Sequence, residues 1–309
     1  MPLDRGARSP VGQPQPLVCT CTALSPQRIT AALAAVAAVC ASPSAFAGGS
    51  NDVTLRRFGT CAPVGECRTV DLREDDFRAL TRDIGLIFSP TLNAGPETLG
   101  PAGFAFQVDQ NIAVVNATEA YWVDGNVDRD PNGTLLLTQV HIRKGLPLSL
   151  ELGGYLNVLW QSRLMAVGTD LRWALHEDTL WPVPDITLRG YVSTVLGSTE
   201  LNVTTTGGEV MMGLPIGLGN VMNLTPYAGY NLGIVVSASR LLDATPLDPR
   251  PPITGTLSSQ PEFVFPVTTQ IVHQGVLGMK LQFAVTNLAF QAQFSPEVQN
   301  YSLSLGFEF

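Results

Sequence analysis

The chain has 309 residues, of which 14% are charged, and its lysines are Lys144 and Lys280; ordinary soluble domains carry roughly 25% charged residues. So little charge cannot cover a large water-facing surface. A net charge of -8 without clusters of Lys and Arg excludes nucleic acid as a partner, because phosphate binding needs such clusters.

Residues 1–47 read as an export signal. Arg28 precedes an apolar, Ala-rich run from Ile29 to Cys40, and Ala45-Phe46-Ala47 supplies a small-x-small site, so cleavage is expected after Ala47. The run is too short for a spanning helix, which needs about 20 apolar residues. Residues 48–102 form an N-terminal extension. In it, Cys61 and Cys67 enclose a short loop and, in the oxidising compartment that export implies, are expected to form a disulfide. A metal pair is the weaker reading, since no His or second Cys pair stands nearby. From Asp71 to Gly85, Phe77, Leu80 and Ile84 recur at helical spacing, which predicts a short amphipathic helix closed by Gly85. That helix is either a linker packed on the rim of the domain that follows or a plug inside it.

From Gly103 onward the period changes to two. Leu148, Leu150, Leu152, Leu156, Val158 and Trp160 alternate with Ser149, Glu151, Gly153, Tyr155 and Asn157. Met165, Val167, Leu171, Trp173 and Leu175 then share one face, with Ala166, Gly168, Asp170, Arg172 and His176 on the other. Strands with one apolar and one polar face have this pattern. It predicts strands over 103–117, 134–144, 147–160, 163–176, 185–197, 200–206, 209–217, 222–239, 273–285, 287–296 and 299–309. They exceed the roughly 5 to 6 residues of soluble strands and suit a tilted membrane crossing. On the apolar face, Trp160, Trp173, Trp181 and Tyr227 stand near expected strand ends, as an interfacial girdle would. The polar face carries Arg143, Glu151, Asp170, Arg172, Arg189 and Lys280, a mixture of signs that disfavours strong ion selectivity in a lumen.

Single-chain bacterial barrels use even strand numbers. Splitting 103–123 in two, with 240–272 left as a long exterior connection, brings the count to about 12; so does making Glu262 to Val272 a strand. A count of 10 results if two weak segments fail. A two-residue hairpin turn at Gln161-Ser162 would set Leu150 opposite Trp173, Leu152 opposite Leu171 and, on the lumen face, Glu151 opposite Arg172.

Chemistry is hard to find. No Gly-rich phosphate loop follows a strand, and no Gly-x-Ser-x-Gly turn is present. His141, His176 and His273 belong to nothing that resembles a catalytic set, so no enzyme is expected; an outer-membrane Ser-His hydrolase is the enzymatic alternative. Asp128, Asp130, Asn132 and Gly133 match the opening of a calcium loop, but Gln139 stands where a bidentate Glu is required. Asp, Asn, Pro and Gly also compose ordinary solvated turns. No cofactor is expected, with calcium as the alternative for Asp128, Asp130 and Asn132.

At the C-terminus Tyr301, Leu303, Leu305, Phe307 and Phe309 occupy every second position, with Asn300, Ser302, Ser304, Gly306 and Glu308 between them, and Phe309 is final. This resembles the terminal strand of Gram-negative outer-membrane barrels, whose closing aromatic is read by the barrel-assembly machinery. The run His141-Ile142-Arg143-Lys144-Gly145-Leu146-Pro147, followed by Leu152-Gly153, and Pro226-Tyr227-Ala228-Gly229-Tyr230 are similar to an uncharacterised family of such proteins. The resemblance covers 103–309 and implies fold and outer-membrane location only, with outer-membrane lipid and the assembly machinery as partners. The expected fold is all-β, an antiparallel up-and-down transmembrane barrel behind an extension with a short helix. The expected role is a passive channel for a small solute or a structural or surface protein with a filled lumen. An exported soluble β-sandwich, lectin-like in binding, is the rival fold.

Overall fold

The computed structural model describes residues 49–62, 69–176, 183–219, 221–243 and 262–309; the predicted signal 1–47, Cys67 and Trp181 lie outside them. The alternating stretches form β1 (Phe104–Val115), β2 (Thr134–Leu146), β3 (Leu150–Leu159), β4 (Met165–His176), β5 (Asp185–Leu196), β6 (Leu201–Gly213), β7 (Met222–Ser239), β8 (Thr268–Phe283), β9 (Thr286–Phe294) and β10 (Val298–Glu308). Each pairs antiparallel with its sequence neighbours, and β10 returns to β1 with Tyr301 opposite Ile112, closing a barrel of ten strands. Phe309 completes the seam, its N–H and carbonyl both bonded to Phe104.

Ten is the smaller count left open by the sequence, and one pair of glycines decides it. Gly207-Gly208 reads as a turn between segments 200–206 and 209–217, but β6 runs straight through it. Gly207 lies opposite Tyr191, and a Cβ there would come within 2.5 Å of the Tyr191 hydroxyl. The glycine makes room for a ring packed across the ladder. Nor does 103–123 split: after β1 the chain makes only the short helix α2 (Ala120–Gly125). Glu262 to Val272 adds no full strand, because among the described residues Glu262–Phe263 pairs with Leu242–Asp243 alone and β8 begins at Thr268.

The predicted helix is α1 (Glu74–Ile87), with Glu74, Asp75 and Asp76 in its first turn, where carboxylates favour the helix dipole. Gly85 does not end it. It lies inside the last turn against the barrel wall, where a Cβ would come within 2.6 Å of Val235; the glycine serves close approach rather than termination. Ahead of α1, Gly59–Ala62 and Thr69–Leu72 form a small hairpin. Phe77 of α1 stacks on Phe265 at 4.5 Å between ring centroids, and Phe58 meets the same ring edge-on. Leu55, Leu80, Ile84 and Trp122 extend this cluster over one mouth of the barrel.

Candidate functional site

The barrel has an apolar outside and a polar inside. Outward residues such as Val108, Leu171, Leu232, Leu277, Phe290 and Leu303 are exposed on every side. Among the described outward positions of the ten strands, Lys144 alone carries a fixed charge. It sits at the rim, donating to the carbonyls of Ala102 and Gly103. Trp160 and Trp173 face outward, whereas Tyr227 is a correction: the outward phase of β7 runs through Tyr230, Leu232 and Ile234, so Tyr227 points inward, donating to Gln291. A closed barrel with an apolar exterior satisfies every backbone group internally and suits a lipid phase. The ten strands make a closed antiparallel barrel with an apolar exterior.

The lumen is where charge gathers. Arg143, Glu151, Asp170, Arg172, Arg189 and Lys280 all point inward and are buried. The turn between β3 and β4 spans Trp160–Arg163, longer than two residues but centred on Gln161-Ser162, so Glu151 does lie opposite Arg172 and Leu150 opposite Trp173. Glu151 accepts from Arg143 at 2.9 Å and Arg172 at 3.2 Å through one oxygen. Arg143 also donates to Glu308 at 3.0 Å, which accepts from Lys280 at 2.9 Å. A second set joins His141, Asp170, Arg189 and Glu209: the first contact is 2.9 Å and the other two are 3.1 Å. Alternating signs let each ion find a counter-ion in a space of low dielectric, where an unpaired charge would be costly.

Glu209 and Glu308 are members of this network that sequence reasoning passed over. Glu308 was available, since it stands on the polar phase of the last strand; Glu209 was hidden by the false turn at Gly207-Gly208. Asp109 is a third such residue, buried and held by the amides of Gln107 and Gln139.

The network surrounds part of the chain itself. Residues 88–99 run through the lumen, and the wall bonds them from many sides. Arg189 of β5 donates to Pro90 O, Gln139 of β2 to Thr91 O and Gln107 of β1 to Leu92 O. Gln291 of β9 accepts from Asn93 N, and Arg172 of β4 donates to Gly95 O and Glu97 O. Thr187 donates to Pro96 O, Thr225 to Glu97, and Leu99 N to Glu151. Pro90 and Pro96 bring no N–H that would need a partner. An eight-strand barrel is roughly filled by its own side chains; two further strands leave room for a single extended chain, and this one supplies it.

At the mouth, Asp83 of α1 accepts from the Tyr121 hydroxyl at 2.9 Å and the Trp122 indole at 3.0 Å. Burial pushes its carboxyl above the ordinary value of 3.8, against the opposing pull of these donors and Arg82. Asp128, Asp130 and Asn132 lie in the connection from β1 to β2, where Asn132 donates to Asn51 at 2.8 Å and the Asp128 N–H to Asn126. Among the described residues no three His, Cys, Asp or Glu side chains gather as metal ligands would. Backbone pairing sets Cys61 opposite Val70, while Cys67 is outside the described residues.

No family model and no curated protein matches the chain. Solved structures do. The β domain of the Bordetella autotransporter BrkA is 9% identical, with 68% of this chain and 100% of that one covered at a TM-score of 0.38. Ail, the attachment invasion locus protein of Yersinia pestis, is 10% identical over 68% of this chain and 99% of its own, at 0.28. The KdgM porin is 6% identical over 66% and 99%, at 0.30.

Proposed function

We propose that this chain is a sealed outer-membrane barrel, a structural or surface protein rather than a passive channel for small solutes, and we propose no catalytic role for it. The observation that carries the reading is the course of residues 88–99. They occupy the lumen, and Arg172, Arg189, Gln107 and Gln139 are spent on their carbonyls. A solute crossing the barrel would have to break those bonds and strand buried charges. Mixed signs in the wall also give a permeant ion no consistent attraction.

Planar-bilayer recording tests this. Purified, heat-modifiable protein is expected to leave the current at the level of a protein-free bilayer. Steady ohmic conductance from the unaltered protein would overturn the proposal in favour of the passive channel.

A further inference from the structure

The two ends of the barrel differ, and the difference says where the extension resides. One end carries the two longest connections, 116–133 and 240–267, together with the short turns after β3, β5 and β9; the other carries the turns 147–149 and 284–285, the eight-residue connections 177–184 and 214–221, and the terminal Phe309. Outer-membrane barrels keep short turns on the periplasmic side and long loops outside. The first end is therefore the exterior one. Everything described between residues 49 and 87 is latched to that end. Asn51 donates to Trp160 O, and Asp52 accepts from Ser162 and the Arg163 N–H. Glu200 accepts from Leu55 N and pairs with Arg56, and Arg73 pairs with Asp124. All these partners belong to exterior connections.

From α1 the chain enters the lumen at Phe88 and leaves at the opposite end, where Gly103 bonds Gly100 and Gly145 before β1 begins. The strand ladder around it is closed. We infer that this barrel carries part of its own chain across the membrane: residues 49–87 form a cell-surface module, joined to the barrel through its lumen by residues 88–99. The hairpin and helix together are wider than a passage that a single extended strand fills. The module therefore crosses before it folds, or the barrel closes around a chain already in place. Once folded outside, it cannot slip back.

The inference rests on the sealed-lumen reading, but its test is separate. Asp75, exposed in the first turn of α1, and Leu148, 83% exposed in a turn at the other end, are each replaced by Cys in a chain whose Cys61 and Cys67 are Ser. Intact cells are treated with a membrane-impermeant maleimide, and heat-modifiable migration reports folding of each variant. Asp75→Cys is expected to label on intact cells, and Leu148→Cys only after permeabilisation. An epitope inserted after Gly49 in the otherwise native chain, read by antibody on intact cells, gives the same answer if the Ser background fails to fold. Silence of Asp75→Cys or of the epitope until permeabilisation, or labelling of Leu148→Cys on intact cells, overturns the inference. Conductance of the purified protein does not depend on orientation, so a conducting barrel would defeat the sealed lumen while leaving this labelling pattern to stand or fall independently.

Discussion

Glu151 is the most connected carboxylate of the lumen, and replacing it has a magnitude that the structure fixes. It holds Arg143 at 2.9 Å and Arg172 at 3.2 Å, and accepts from the N–H of Leu99 at 3.2 Å. Both guanidiniums are almost wholly buried. Glu151→Ala leaves two buried cations short of a counter-ion, and breaking a buried pair from one side costs about 3–5 kcal/mol. Arg143 keeps Glu308, while Arg172 keeps only the carbonyls of Gly95 and Glu97; most of the cost falls on Arg172. Adding Arg172→Ala removes the stranded charge, so the double variant should be less destabilised than the sum of the singles by about 1–3 kcal/mol. It should also loosen residues 95–99 and admit ions. Denaturant unfolding in detergent measures the cycle, and bilayer recording or antibiotic uptake measures leakage. Energies additive within about 0.5 kcal/mol, with no rise in conductance, would refute the idea that this pair both holds the plug and fills the lumen.

Deleting Phe309, which bonds Phe104 at the closing seam, should lower outer-membrane levels far more than deleting one residue between 244 and 261, as read by immunoblot of membrane fractions. Cys61 and Cys67 should resist alkylation until reduced, as checked by mass shift on protein purified without reductant. Gly85→Ala gains up to about 1 kcal/mol of helix propensity but drives a methyl into Val235, an overpacking cost of about 1–3 kcal/mol; α1 should become more sensitive to protease. Asp83, whose carboxyl burial raises, binds its proton more tightly in the docked module than in the free chain. The module's stability is therefore greatest below the ordinary value of 3.8 and falls as pH rises through the window up to the raised value. Amide protection in α1, corrected for intrinsic exchange, should be lower at pH 7 than at pH 4, and Asp83→Asn should flatten that difference.

Period-two alternation made the barrel legible, because each strand turns an apolar face outward and a polar face to the packed lumen; the register of β3 on β4 followed from the turn's centre rather than its length. The lumen charges were legible for the same reason, as polar residues in phase with their strand. What was not legible depends on contacts distant in sequence. Gly207 and Gly85 carry turn and stop signals by composition, yet each is explained by a neighbour more than ten residues away, Tyr191 or Val235. Residues 88–99 have no period at all. Their conformation is imposed by the wall, so only the enclosing barrel reveals them as its filling. Tyr227 was misplaced because an aromatic near a strand end suits either face.

The threaded segment also changes how the protein bears load. A pull on the exterior module along the barrel axis strains the bonds of Pro90, Thr91, Leu92, Asn93, Gly95 and Glu97 side by side rather than one after another. Behind them stands a closed hoop whose strands are stitched to one another around the full circumference. The attachment resembles a bolt through a plate more than a tether on its surface, and shear at the cell exterior is met by the whole girth of the barrel.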